Sequence, residues 1–501
     1  MIRRLLLAGA SLLPAPAAAE TLREALVRAY QSNPTITAQR ANQRAVDENV
    51  PIARSSGLPG FNLSGGFTEN VIVQQNSFVA PARSLNGSAQ FSVPLYQGGA
   101  VRNSVRAAET RVEAGRATLR GTEADLFTSV VGAYMDVIRD EAIVGLNQQN
   151  VRVLDINLRA SRDRFQVGDL TRTDVAQSEA RLALAQAQLQ SAEARLIASR
   201  ETYIRIIGAP PVALEQPPTL PNLPASPEAA VAAAMSQNPV LIAAQRQRDA
   251  ARFDVGVAHA QRLPRLAAVA GGNYFNYLGS LGTGTTFNGV QSGSSATGGL
   301  SVTLPIFQGG RPGAQVRQAQ ALESQAIENT TATERGVIAA ARSSYASWRS
   351  SNEVIVSSET AVRANRLSLE GVRAENSVGT RTILDILNAE QELLNSQVTL
   401  VSARRDAYVA GFALLAAMGD AEAQDLGLEG GPLYDPTVNY RRVRGAIDDY
   451  ASDGEPSAVA TRTDQTPAQT AVVNLPVDPD LQSSVDRSKP LTTGSASPNR
   501  Q

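Results

Sequence analysis

The sequence predicts an α+β protein in which one unit is written twice, each copy joining long coiled-coil helices to a β-hairpin, with four strands per chain. Three observations predict it. Landmark residues recur at fixed offsets, short segments alternate apolar and polar residues, and two stretches of 66 residues read as single helices.

The duplication comes first. Asn33-Pro34 pairs with Asn238-Pro239 and Pro59 with Pro264, each 205 positions apart. Further along the offset is 211: Pro94/Pro305, Gln97-Gly98-Gly99/Gln308-Gly309-Gly310, Tyr134/Tyr345, Val167-Gly168/Val378-Gly379, Asp174/Asp385 and Gly208/Gly419. The six extra residues fall between Pro264 and Pro305, where the second copy carries a Gly/Ser/Thr-rich loop over 279–299. The first copy is expected over 20–225 and the second over 226–419, with hairpins at 59–97 and 264–308.

The hairpins rest on alternation. In the first, Phe61, Leu63, Phe67, Val71 and Val73 are apolar, while Asn62, Ser64, Thr68 and Asn70 are polar. The return strand alternates Ala89, Phe91, Val93 and Leu95 with Ser88, Gln90 and Ser92, and copy two repeats this with Leu300, Val302, Leu304 and Ile306. A period of two gives a sheet one apolar and one polar face. In a soluble domain that would be a half-buried sheet. The aromatics Phe61, Phe67, Phe91, Tyr96, Tyr274, Phe275 and Tyr277 equally suit the girdles of a membrane barrel. Four strands cannot close around water, since small barrels need about eight, so a barrel requires several chains.

The helices follow. Ala100–Phe165 and Arg311–Asn376 would each be about 100 Å long at 1.5 Å per residue. After each Val-Gly a second helix keeps a seven-residue repeat: Val175, Leu182, Leu189, Leu196 and Tyr203, then Ile386, Leu393, Leu400, Ala407 and Leu414. Small residues follow three positions later (Ser178, Ala185, Ala192, Ser199; Ala389, Ser396, Ala403, Ala410, Ala417), as close-packed left-handed coiled coils require. The post-turn helix and the helix before the strands together match one long helix, so the two could line it end to end.

Composition narrows the function. The 46 basic and 47 acidic residues balance, so nothing points to nucleic acid. With no Cys and one His, His259, thiolate chemistry and Cys/His metal sites are excluded, and no cofactor is expected. His259 and Trp348 read as surface or packing residues. Residues 1–19 read as an export signal: a basic start, the apolar run Leu5–Leu13 and the Ala17-Ala18-Ala19 cleavage pattern. From Ala451 to 501 the Ser/Thr/Pro/Asp-rich composition predicts a largely disordered tail.

The windows FQVGDLTRTDVAQSEA (165–180) and NSVGTRTILDILNAEQELL (376–394), with the twin Asn-Pro entries and the two hairpins, closely resemble the TolC family of outer-membrane factors over roughly residues 20–445. The segment YDPTVNYRRVRGAIDDY (434–450) is similar to the post-repeat segment of some members, which implies an equatorial position for 420–450. The resemblance implies a homotrimer with a 12-stranded β-barrel in outer-membrane lipid, continued by a hollow α-helical barrel across the periplasm. It implies an exit duct for drugs or secreted proteins, working with a periplasmic membrane-fusion adaptor and an inner-membrane RND or ABC-type pump. It also gives residue roles: Val167, Gly168, Val378 and Gly379 as adaptor-docking tips; Asp385 as an acidic aperture ring; and Arg381 as a latch to the neighbouring helix pair through Asp174, with Thr173 nearby. Two positions depart from the family pattern. Asn388 stands where a second aperture Asp is expected, and Asn376 where a latch Tyr is expected.

Two other readings stay open at this point. A soluble periplasmic coiled-coil protein would leave membranes without detergent. An enzyme would need a nucleophile and base, and no such set is visible; an Asp just inside a helix start also serves as an ordinary cap.

Overall fold

The computed structural model describes residues 19–72, 81–281, 289–428, 433–473 and 481; the expected export signal, apart from Ala19, lies outside them. The first copy contains α1 (Leu22–Ser32), α2 (Pro34–Asp47), α3 (Asn49–Ser55), β1 (Gly60–Glu69), β2 (Arg83–Gln97), α4 (Ala100–Gln166) and α5 (Arg172–Ile207). The second contains α6 (Pro227–Gln237), α7 (Pro239–Ala260), β3 (Arg265–Asn276), β4 (Ser292–Thr303), α8 (Arg311–Ser377) and α9 (Ile383–Met418), followed by α10 (Thr437–Val443).

The long helices α4 and α8 each run 67 residues. Pro312 lies in the first turn of α8, where an N–H has no intrahelical partner to lose. Below, α5 lies along α4 and α9 along α8; above, α2 and α3 continue the line on α4, and α7 packs on both α4 and α8. This is the expected end-to-end stack. In copy one the upper helix is broken at Glu48, because Pro51 has no N–H to return to Asp47, whereas α7 runs unbroken for 22 residues.

The heptad residues Leu196, Tyr203, Ile386, Leu393, Leu400, Ala407 and Leu414 are buried, with Ser178, Ala185, Ala192, Ser396 and Ala403 buried beside them. Each fully buried Leu contributes roughly 2 kcal/mol from the area it removes from water. The largest core forms at mid-height, where Phe127, Tyr134, Tyr203, Phe412 and Leu414 meet α1.

The stacked helices are joined by duplicated devices. Asn33 caps α2 by accepting from Thr35 N, and its Nδ2 donates to the Ile206 carbonyl at 2.7 Å. Asn238 caps α7 and donates to the Ala417 carbonyl at 2.9 Å. Gly208 and Gly419 end α5 and α9 in left-handed conformation (φ 86° and 94°). At Gly419 a Cβ would come within 2.7 Å of the Gln237 backbone, so glycine is required there twice over. Tyr134 donates to the Glu20 carbonyl (2.8 Å) and Tyr345 to the Ala225 carbonyl (3.0 Å), pinning the chain where each copy begins.

Among the described residues the strands form one antiparallel sheet in the order β1-β2-β3-β4. Register places Phe61 beside Phe91 and Ala270, and Val93 beside Ala268 and Leu300, on one face. On the other, Ser64 pairs with Ser88 (Oγ to Oγ 2.7 Å) and Asn273 with Ser295. Phe61, Leu63, Phe67, Leu300 and Val302 are all more than half exposed in the single chain. Both β1 and β4 are edges, so each presents unpaired backbone groups.

The strands are shorter than alternation suggests. β1 ends at Glu69, leaving Val71 beyond its last pair; Val73 lies outside the described residues. β4 ends at Thr303, so Leu304 and Ile306 fall outside the sheet. Pro264 and Pro305 at this end of the β3–β4 pair supply no N–H. The counterpart Pro94 is absorbed as a bulge in β2, between the pairs at Pro94 and Tyr96.

Residues described in 420–450 lie against the upper helices. Tyr434 N donates to Tyr30 Oη at 3.1 Å, Asn439 Nδ2 donates to Asp47 Oδ2 at 2.9 Å, and Arg40 sits between the rings of Tyr30 and Tyr434. Of the tail expected to be disordered, residues 451–473 and Leu481 lie among the described residues. Residues 451–473 follow the helix surface without regular structure, and Val473 and Leu481 are buried. Its composition offers few apolar side chains, but the carbonyls of Thr470, Val472 and Leu481 are taken up by the buried Arg200 and Gln397.

Candidate gate at the helix tips

Both hairpin tips are built from the same two local devices. Gly168 (φ 88°) closes α4 with Gly168 N donating to the Phe165 carbonyl (3.0 Å) and Asp169 N to the Arg164 carbonyl (2.9 Å). Gly379 (φ 81°) closes α8 in the same way, Gly379 N donating to the Asn376 carbonyl and Thr380 N to the Glu375 carbonyl, both at 3.0 Å. This is the Schellman pattern, which satisfies the last carbonyls of a helix and needs a left-handed residue. Three residues after each glycine a threonine opens the next helix. Thr171 Oγ1 accepts from Asp174 N (3.3 Å) while Asp174 Oδ2 accepts from Thr171 N (2.9 Å); Thr382 and Asp385 repeat this at 3.3 and 3.0 Å.

The recurring spacing of Asp six residues after Gly is therefore explained locally: glycine ends one helix, threonine caps the next, and aspartate closes the capping box. The signal was present in the sequence as T-x-x-D at 171–174 and 382–385. Asp385 is held below the usual aspartate range by the Thr382 hydroxyl, then by the Thr382 N–H, with a smaller pull from Arg381; the hydroxyl and N–H of Thr171 hold Asp174 down likewise. Both carboxylates therefore stay ionised into acid.

Within the chain Arg381 does not reach Asp174. Its Nε donates to Glu375 Oε2 at 2.7 Å across its own turn, and Asp174 is engaged by Thr171, with Thr173 exposed beside it. The carboxylate six residues away on the same tip takes Nε, and the half-exposed side chain leaves its terminal nitrogens to solvent. Asn376 Nδ2 donates to the Arg381 carbonyl at 2.7 Å, so it too serves the turn. Asn388 does reach the other hairpin: its Oδ1 accepts from Arg181 Nη2 of α5 at 2.7 Å. Behind that bond, Leu387 is buried against Leu154 and Ala185 of the first hairpin.

Sequence reasoning missed a duplicated ion pair one turn further up. Arg162 pairs with Glu179 at 2.7 Å in copy one, and Arg373 with Glu390 in copy two, at the same offset of 211 as the Val-Gly turns. In copy two the pair is shielded: burial pushes the Glu390 carboxyl up while Arg373 pulls it back. The tips themselves are open. Val167 and Val378 are 76% and 74% exposed, and no atom lies near a Cβ built at Gly168 or Gly379.

The family model described as outer membrane efflux protein matches residues 25–209 and 230–420, the two copies in turn. The chain belongs to the outer membrane efflux protein family. It is 34% identical over 443 residues to the outer membrane efflux protein BepC of Brucella suis biovar 1 (strain 1330), covering 88% of this chain and 94% of that protein. It is 28% identical to the outer membrane protein TolC of Escherichia coli (strain K12), covering 81% and 84% respectively. The solved structure of VceC, an outer membrane protein of Vibrio cholerae, shares the fold with a TM-score of 0.67 at 22% identity, over 79% of this chain and 96% of that one. As an outer membrane efflux protein the chain is a transport channel of the outer membrane rather than an enzyme.

Proposed function

We propose that three copies of the chain form one exit duct, closed at its periplasmic end by the helix tips and docked there to a membrane-fusion adaptor and an inner-membrane RND or ABC-type pump. The observation that carries this reading is the open sheet. Its two edges, β1 and β4, are strands of 10 and 12 residues with one apolar face, about the 9–11 residues that cross a bilayer at a tilt. Unpaired edges do not persist in lipid, so the sheet must close with other copies. Three copies give twelve strands.

The same closure turns each chain's layer of helices into one sector of a helical barrel. Its lower rim carries Asp385, whose ionised carboxylate would be repeated three times around the aperture and would favour cations. The link that holds hairpins together at this rim is Arg181–Asn388 within each chain, and opening requires it to part. With Nε held by Glu375, Arg381 would latch a neighbouring copy's Asp174 through its terminal nitrogens or by leaving Glu375. The exposed Val167 and Val378 offer an apolar surface for an adaptor's own helical tips.

A photoreactive residue at Val167 or Val378 tests the docking. The expected result is capture of a periplasmic adaptor in intact cells. No capture, from chains that assemble and reach the outer membrane, would contradict it.

A further inference from the structure

We propose that the C-terminal segment, residues 461–473 with Leu481, is a strap laid from the first helical hairpin onto the second, and that it restrains their separation. The proposal rests on the gated-duct reading above.

The anchor is Arg200 of α5, 5% exposed, ion-paired to Glu141 of α4, 7% exposed. A buried guanidinium is costly unless its donors are satisfied, and one carboxylate does not satisfy five N–H groups. The tail supplies two further acceptors to the terminal nitrogens, while Nε has no acceptor among the described residues. Arg200 donates through Nη1 to the Thr470 carbonyl and through Nη2 to the Val472 carbonyl (2.7 Å), from a segment about 270 residues away in sequence. Beside it, Gln469 N donates to Glu201 Oε1 at 3.2 Å.

Contacts continue on both sides of the anchor. Toward mid-height, Thr461 sits over the end of α5, where its Oγ1 would lie 2.5 Å from a Cβ at Gly208. Toward the tips, Gln397 of α9 donates through Nε2 to the Leu481 carbonyl at 2.8 Å, both residues being buried. Leu481 joins the apolar cluster of Leu146 on α4 with Leu393 and Leu394 on α9. By helix rise, Arg200 lies roughly 40 Å above the start of α5 and Gln397 roughly 20 Å above the start of α9. The described contacts of the tail thus fall on the first hairpin at Arg200 and, nearer the gate, on the second at Gln397.

This geometry explains how a polar tail docks at all. The helices read its backbone carbonyls, and Val473 and Leu481 supply the apolar contacts, so its remaining side chains are free to be Ser, Thr and Pro. Parting of the two hairpins must strip Leu481 from α9 or Thr470 and Val472 from Arg200.

The chain has no cysteine, which permits a clean test. Glu201→Cys with Gln469→Cys, in the full-length protein, is bridged by a short thiol-reactive crosslinker, and single-channel conductance is recorded before and after. Bridging is expected to occur readily and to lower the open fraction several-fold; a chain ending at Tyr450 and the full-length Gln397→Leu variant are expected to raise it. Failure to bridge would overturn the strap's placement. Full-length protein that conducts, yet is unmoved by bridging and by Gln397→Leu, would overturn its restraining role and leave the duct reading intact. Absence of any conductance in the full-length protein would sink the duct reading, and the strap with it.

Discussion

Arg181 of α5 donates a hydrogen bond to Asn388 of α9 at 2.7 Å, tying the tips of the two hairpins together. The bond is exposed and guarded by Leu387, Leu154 and Ala185 behind it. A bond of this kind to a charged donor contributes about 1–3 kcal/mol at most, and less in contact with water. That range suits a link meant to break.

Arg181→Ala and Asn388→Ala are each expected to raise single-channel conductance several-fold, and the double variant to do no more than either single one. A double-mutant cycle on conductance checks this, because residues that act through one contact are not additive. Fully additive effects would show that the bond is not the link.

Arg381 and Glu375 give a second, separable prediction. Arg381→Ser is expected to raise conductance. If the within-turn pair is what matters, Glu375→Gln should match it; if Arg381 latches onto a neighbouring copy, Glu375→Gln should tighten the gate by freeing the guanidinium. Unchanged conductance in both variants would remove Arg381 from the gate.

Asp385→Asn is expected to weaken block by multivalent cations severalfold. The Thr382 cap holds this carboxyl below its ordinary value in the single chain, while repulsion among three such carboxylates would push it back up, so block should fade as pH falls into the ordinary carboxylate range. The helix cap follows the same sign: its stabilisation is present above the unfolded pKa and is lost as pH falls through the depressed folded one. Block that disappears well above pH 4 would argue against Asp385 as the ring.

Glu123, buried on α4 near Glu422, carries the opposite sign. Burial pushes its carboxyl up to about 7, with Arg40 opposing and Glu422 adding to the rise. The folded chain therefore binds a proton that the unfolded chain has released, and stability falls as pH rises from about 4.5 to about 7. The shift corresponds to up to about 3 kcal/mol. Glu123→Gln should raise the unfolding temperature at pH 8 and leave it nearly unchanged at pH 4.5; a gain equal at both pH values would contradict this.

Much of the architecture is written in local chemistry that a reader of the sequence can see. Asn-Pro, Val-Gly and the paired tyrosines repeat at offsets of 205 and 211 because each pins the same joint in both copies. The heptads are legible because a coiled-coil seam demands one residue type at one period. Other features leave no such trace. Arg381 carries no mark that says whether Glu375, within reach across its own turn, or Asp174, on the other tip, is its partner, since both are acidic. The docking of the tail is invisible for a different reason: Arg200 binds the carbonyls of Thr470 and Val472, which every residue possesses. The early end of β4 shows the remaining gap, since alternation continues to Ile306 although pairing stops at Thr303.

The central claim is that this chain closes into a gated duct through the outer membrane. Recording purified, detergent-extracted protein in planar lipid bilayers tests it most directly. The account predicts small, cation-selective unitary currents from a trimer, enlarged several-fold by Asn388→Ala. Intact oligomer that inserts but carries no current, with or without that substitution, would contradict it.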